Sequence, residues 1–147
     1  MVKAIYFDMD GTIADFYAVP HWKEYLCESN PLPYEIARPM LNMTVLAYLL
    51  NRLQAEGWHI GIVSWLSKTG SDKFNTATTR AKIDWLGRHL HSVHWDEVVI
   101  VPYGTPKHQV VSFSKGILFD DEERNRANWT GTAYNVKNIL SILQGLL

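Results

Sequence analysis

Short apolar runs alternate with longer segments in which apolar residues recur at helical spacing, and this alternation continues along the whole chain. Lys3 to Phe7 is a run of strand length that stops at Asp8. Leu41, Val45, Leu46, Leu49, Leu50 and Leu53 then fall on one helical stripe, with Pro39 near its start and Gly57 just past its end. Trp58 to Val63 is a second strand-like run. It is followed by a segment opening at Ser71-Asp72, residue types that cap a helix N-terminus, with Ile83, Leu86 and Leu90 as its apolar stripe. Val98 to Val101 is an uninterrupted β-branched run ended by Pro102, the pattern of a strand buried on both faces. Ile117 to Phe119 is another, stopping at Asp120; Thr132 to Tyr134 reads as a short strand, and Val136, Ile139, Leu140 and Leu143 as a last helix.

Strands that alternate with helices predict an α/β fold with a largely parallel sheet. The 147 residues are about the length of one domain, with no internal repeat and no linker of low complexity. The single cysteine, Cys27, can form no intrachain disulfide and reads as an inert packed thiol. The N-terminal apolar stretch is too short for a signal peptide, and no window reaches the length of a membrane span, so a cytoplasmic location is expected. Fourteen Lys and Arg against 15 Asp and Glu leave a net charge of −1. That balance gives no broad positive field for extended nucleic-acid binding.

The polar residues carry more information than the composition, because the reactive ones fall at or just beyond the C-terminal ends of the predicted strands. Asp8 and Asp10 follow the first, Ser64 the second, Lys107 the third after a short loop, and Asp120-Asp121 the fourth. In open α/β sheets this edge forms the ligand crevice. A crevice holding three or four carboxylates, one lysine and one hydroxyl carries surplus negative charge, which a hard divalent cation such as magnesium would neutralise through oxygen ligands. No Cys and His cluster suggests zinc. His89, His91 and His94 are bunched, but at spacings that suit a solvated helix end. With a cation and Lys107 neutralising a phosphoryl group, Asp8 can attack phosphorus, and Asp10 can protonate the leaving oxygen and then deprotonate a water.

Taken together, Phe7-Asp8-Met9-Asp10-Gly11-Thr12, Ile62-Val63-Ser64, Lys107 and Phe119-Asp120-Asp121 resemble, in order, the four motifs of the haloacid dehalogenase superfamily of hydrolases. The resemblance covers most of the chain. It implies a three-layer Rossmann-like core with a mostly parallel sheet and a minimal helical cap at about residues 13–38, in a single phosphohydrolase domain. It further implies that Asp8 is nucleophile and metal ligand, that the Asp10 backbone carbonyl also contacts the metal, and that Asp121 completes the magnesium site. Ser64 would hydrogen-bond the transferring group, and Asp120 would support the site through a metal-bound water or Lys107. Lys68 and Lys115 are the alternative cations.

A narrower similarity links Asp8-Met9-Asp10-Gly11-Thr12-Ile13-Ala14-Asp15-Phe16, and the order of elements from Arg80 to Asp121, to the 5′(3′)-deoxyribonucleotidases. Those enzymes have a larger helical cap. Phe16 and Trp65 are candidates to stack a nucleobase, set against the plainer reading that six tryptophans simply pack the core and lid.

The expected function is therefore a magnesium-dependent phosphatase acting through an aspartyl-phosphate on a small phosphorylated substrate, a nucleotide among the candidates. A phosphatase of polynucleotide ends or of a protein is an alternative that the short cap would permit. A non-catalytic phospho-accepting module resembling a receiver domain is another. Motif order argues against the receiver, which places its acidic pair before the phospho-accepting aspartate.

Overall fold

The computed structural model describes residues 2–147. Five strands form one parallel sheet: β1 (Ala4–Phe7), β2 (His59–Trp65), β3 (Glu97–Val101), β4 (Ile117–Phe119) and β5 (Thr132–Tyr134), in the order β3-β2-β1-β4-β5. Six α-helices accompany them: α1 (Trp22–Cys27), α2 (Leu32–Ile36), α3 (Met43–Ala55), α4 (Asp72–His89), α5 (Glu123–Asn128) and α6 (Ile139–Leu146). Short 3-10 turns lie at Phe16–Ala18, Lys107–Gln109 and Val136–Asn138. The α/β architecture with a parallel sheet expected from the alternation is the one observed, as is the Rossmann-like core that the resemblance implies.

Alternation of side chains across the pleat builds two cores. Ile5, Phe7, Ile60, Ile62 and Phe119 point to one face, where Leu46, Leu49, Leu50 and Leu53 of α3, Trp85 and Leu86 of α4, and Ile139 and Leu143 of α6 cover them. Each leucine so buried contributes roughly 1.5–3 kcal/mol from removal of its surface from water. Ala4, Tyr6, Val63 and Leu118 point to the other face. There the cover is thin: Trp129 just after α5, with Val110 and Val111 from the crossover between β3 and β4, which contains only a 3-10 turn. Both long helices start on side-chain caps, Asn42 accepting from Val45 N at 3.1 Å and Ser71 from Phe74 N at 3.1 Å.

Three expectations need correction. The Val98–Val101 run belongs to an outer strand rather than one buried on both faces: β3 pairs only with β2, and Val98 is 40% exposed. On α4, Ile83 faces solvent, and the packed stripe is instead Phe74, Thr78, Ala81, Lys82, Trp85 and Leu86. Cys27 is exposed rather than packed. In addition, β2 runs on to Trp65 because Ser64 and Trp65 still pair with Ile100 and Val101, so Ser64 lies within the strand.

Glu97, the first residue of β3, ties β1, β2 and the crossover together. It accepts from the Tyr6 hydroxyl at 2.7 Å and from Ser112 N and Oγ at 3.0 and 3.1 Å, and lies 2.9 Å from His59 Nε2. No helix among the described residues is long and apolar enough to cross a membrane.

Candidate active site

The site is built by letting the sheet run one residue beyond two of its strands. Asp8 N donates to Phe119 O at 3.0 Å and Asp120 N to Tyr134 O at 3.2 Å, so the main chain still follows the ladder where these two carboxylates leave it. After Asp8 the chain turns sharply: the N–H groups of Thr12, Ile13 and Ala14 all donate to Met9 O at 3.0–3.1 Å. Gly11 sits in this turn at φ +79°, a conformation L side chains rarely adopt, and a Cβ there would lie 2.5 Å from Asp121 Oδ2. The turn is therefore glycine for two independent reasons, backbone conformation and close approach to an acid of the site.

Lys107 is brought in by its 3-10 turn and is buried. Its ammonium donates to Asp8 Oδ1 at 3.0 Å and Asp120 Oδ2 at 2.7 Å. Burial alone would lower this ammonium's pKa, but the two carboxylates outweigh burial and hold it above the ordinary lysine value. Asp120 is fully buried and also accepts from Glu122 N at 2.9 Å and Asn125 Nδ2 at 3.1 Å. Lys68 and Lys115 are exposed, and Lys68 lies only at the rim of the cavity.

Asp8, Asp120 and Asp121 each offer an oxygen within 4.8 Å of the others. Burial, followed by the nearby Asp8 carboxylate, pushes both Asp120 and Asp121 above the ordinary carboxylate value. Such crowding is what a bound cation would relieve, and an all-oxygen donor set with no thiolate or imidazole suits magnesium. Within the trio the oxygens of Asp120 are already engaged by Lys107, Asn125 and the Glu122 amide. Asp8 and Asp121 are freer, sharing the Thr12 hydroxyl at 3.3 Å from each.

Asp10 does not join this trio. Its carboxylate turns to Lys82, whose ammonium donates to Asp10 Oδ2 at 3.1 Å, Ser64 Oγ at 2.7 Å and Trp65 O at 2.8 Å, while lying 5.2 Å from the centroid of the Tyr34 ring. Burial pushes the Asp10 carboxyl above its ordinary value, with Lys82 opposing. Lys82 is a residue the sequence reading missed. It is 1% exposed, a lysine on the packed stripe of α4 between Thr78 and Trp85, and a cation on an otherwise uncharged buried stripe was the available signal.

Above these groups lies a cavity of about 330 Å³. Asp8, Asp10, Asp121 and Lys107 reach it from below, and residues 16–34 wall it from above with aromatic rings. Phe16 and Trp65 both border it. Phe16 is itself buried and stacked on Tyr34, centroids 4.6 Å apart. Tyr17, half exposed, meets Phe16 edge-on at 5.3 Å and Trp22 at 5.2 Å.

Fold and site together define an α/β protein of Rossmann-like topology with an acid-rich crevice at the C-terminal edge of its sheet. By sequence the chain matches no family model and no curated protein. By structure it is similar to D,D-heptose 1,7-bisphosphate phosphatase from B. bronchiseptica, in a complex with magnesium and phosphate: TM-score 0.63 at 15% identity, covering 99% of this chain and 98% of that one. It is also similar to D,D-heptose 1,7-bisphosphate phosphatase from Burkholderia thailandensis, TM-score 0.60 at 13% identity, covering 98% and 97%. At these identities the likeness is one of fold.

Proposed function

We propose that the protein is a magnesium-dependent phosphomonoester hydrolase in which Asp8 takes up the phosphoryl group. The observation that carries this reading is the division of two aspartates on one turn: Asp8 is held by Lys107 beside Asp120 and Asp121, whereas Asp10 is held apart by Lys82. The fold shared with phosphatases, one of them bound to magnesium and phosphate, supports it, as does the resemblance of the motifs to haloacid dehalogenase hydrolases.

In this mechanism an Asp8 oxygen attacks phosphorus, and the bond from phosphorus to the ester oxygen breaks with its electron pair leaving on that oxygen. Asp10 delivers a proton to it. Water then attacks the aspartyl-phosphate, Asp10 takes the proton back, and the bond from phosphorus to Asp8 breaks to release phosphate. Asp8 and Asp121, with the Asp10 carbonyl, would hold magnesium, which neutralises charge on the phosphoryl oxygens. Lys107 neutralises the same group from the protein side, Ser64 hydrogen-bonds it, and Asp120 keeps Lys107 in place.

The walled cavity favours a small substrate over a polymer end. Its aromatic walls, together with the first-motif resemblance to deoxyribonucleotidases, favour a nucleoside monophosphate, with residues 13–38 serving as cap and Phe16 on the base side. The test is a screen with magnesium of deoxynucleoside and ribonucleoside monophosphates, sugar phosphates and 3′-phosphorylated oligonucleotides, following released phosphate. Turnover confined to sugar phosphates would remove the nucleotide assignment; no turnover of any ester would remove the phosphatase.

A further inference from the structure

Trp65 ends β2 directly after Ser64, and its contacts lead to the loop that carries Lys107. Its backbone pairs with Val101, the last residue of β3, and Leu66 N donates to Val101 O at 2.8 Å. Beyond Val101 the chain leaves the sheet and reaches Lys107 through Pro102 to Pro106. The bonds recorded within this stretch are internal: Thr105 N and Oγ1 both reach Pro102 O, at 3.1 and 2.6 Å. Among the described residues, the one donor that reaches residues 102–105 from another element is the Trp65 indole N–H, 2.7 Å from Thr105 O. The same ring lies 5.0 Å from the Tyr103 ring, 5.6 Å from Lys107 Nζ and 4.8 Å from the Arg124 guanidinium of α5. One side chain therefore holds the loop at Tyr103, Thr105 and Lys107, and ties it to the helix that follows the acidic pair.

An ammonium has three N–H donors. Two of those on Lys107 go to Asp8 and Asp120, and among the described residues the third meets no acceptor. An aromatic wall attracts the cation without accepting a strong hydrogen bond from it, which leaves that donor available.

We propose that Trp65 is a positioning residue for Lys107: its indole N–H fixes the loop and its ring confines the ammonium, so that the third N–H is presented to the phosphoryl group. The inference rests on the phosphatase reading and changes what Trp65 does in it. The residue acts through Lys107 on the transfer step, in place of recognising the leaving group.

Two variants separate these roles. Trp65→Phe keeps an aromatic face and removes the N–H; Trp65→Leu removes both. Misplacing a catalytic group by about 1 Å can cost on the order of 10²-fold, so kcat should fall about tenfold in the first variant and about a hundredfold in the second. Any rise in KM should be the same for an ester with a ring and for one without. The fold-loss should be equal for p-nitrophenyl phosphate and for glycerol phosphate, one ester with a ring and one without. In a Lys107→Met background, Trp65→Phe should add little further loss, because both changes act on one group. A raised KM confined to the aryl ester, or full additivity with Lys107→Met, would overturn the proposal.

Calorimetric binding of inorganic phosphate with magnesium gives a readout that needs no turnover. Trp65→Phe should weaken it in the same direction as Lys107→Met. If the unaltered protein binds phosphate but hydrolyses no ester of the screen, the phosphatase reading fails while the phosphate affinities still decide whether Trp65 acts through Lys107; equal affinity in Trp65→Phe and the unaltered protein would refute that role.

Discussion

Lys82 Nζ lies 3.1 Å from Asp10 Oδ2. The same ammonium is 2.7 Å from Ser64 Oγ, so a single buried cation on α4 sets one side chain within β2 and one that follows β1. Lys82→Met should leave Asp10 without its ion-pair partner and without the ammonium that joins it to Ser64. We expect turnover to fall by roughly 10²–10³-fold, the range typical of losing one preorganised donor. Steady-state kinetics on the best substrate of the screen checks this, and activity within a factor of a few of the unaltered protein would show that Lys82 only packs.

The two aspartates of the first turn should fail differently. Asp8→Asn removes the nucleophile and should give no phospho-enzyme. Asp10→Asn should keep phosphate binding and lose turnover, because neither the leaving oxygen nor the attacking water has its proton partner. With an ester whose leaving group needs no proton, phospho-Asp8 should accumulate in Asp10→Asn and be seen by mass spectrometry. Label found on Asp10, or on a serine or histidine, would overturn the assignment.

Metal dependence follows from the crowding of Asp8, Asp120 and Asp121 within 4.8 Å. EDTA should abolish hydrolysis and added magnesium restore it, with Asp121→Asn demanding far more magnesium for half-maximal rate. Because a ligand that binds only the folded state stabilises it, magnesium should also raise the melting temperature, and less so in Asp121→Asn. Undiminished activity in metal-free buffer would rule the site out.

The Lys107 assignment can be set directly against its alternatives. Lys107→Met should reduce turnover by about 10²-fold or more, since its charge is buried against two carboxylates. Lys115→Met removes an exposed charge and should leave kinetics near normal. The reverse outcome would move the phosphoryl-neutralising role away from the 3-10 turn.

Glu97 supplies a test of the fold that is separate from the chemistry. Burial alone would raise its carboxyl, but the bonds from Tyr6, His59 and Ser112 outweigh burial and hold it below the ordinary value. A carboxyl whose folded pKa is depressed contributes stability above its unfolded value, and that contribution is lost as pH falls through the folded one. Glu97→Gln should therefore destabilise the protein at neutral pH by about 1–3 kcal/mol, in the range for hydrogen bonds to a charged group. Its deficit should hold steady from about pH 7 down to about pH 4.3, the ordinary glutamate value, and narrow below it in thermal melts. A deficit independent of pH would mean that the charge of Glu97 plays no part.

The parts of the site that the sequence made legible are those whose position follows from a strand ending. Asp8, Asp120 and Asp121 each follow an apolar run, and a polar residue there falls at the crevice whatever the surrounding fold does. Lys82 was not legible, because its place depends on how α4 is rolled against the sheet. Of the expected stripe Ile83, Leu86 and Leu90 the last two are buried, but Ile83 faces solvent and Lys82, about 100° around the helix from it, takes the packed position. The outer position of β3 was hidden for a related reason: a β-branched run specifies a strand but says nothing of how many neighbours it has. Trp65 was visible as an aromatic at a strand end, yet its bond to Thr105 joins positions that only the pairing of β2 with β3 brings together.

The extension of the ladder past β1 and β4 gives this arrangement a mechanical character. Asp8 and Asp120 are anchored by main-chain bonds to neighbouring strands, so their separation is inherited from the spacing of the sheet, about 4.8 Å between strands. The cations arrive differently, Lys107 on a loop and Lys82 on a helix. Asp8 and Asp120 thus form a fixed base against which the two cations, delivered by separate elements, are set.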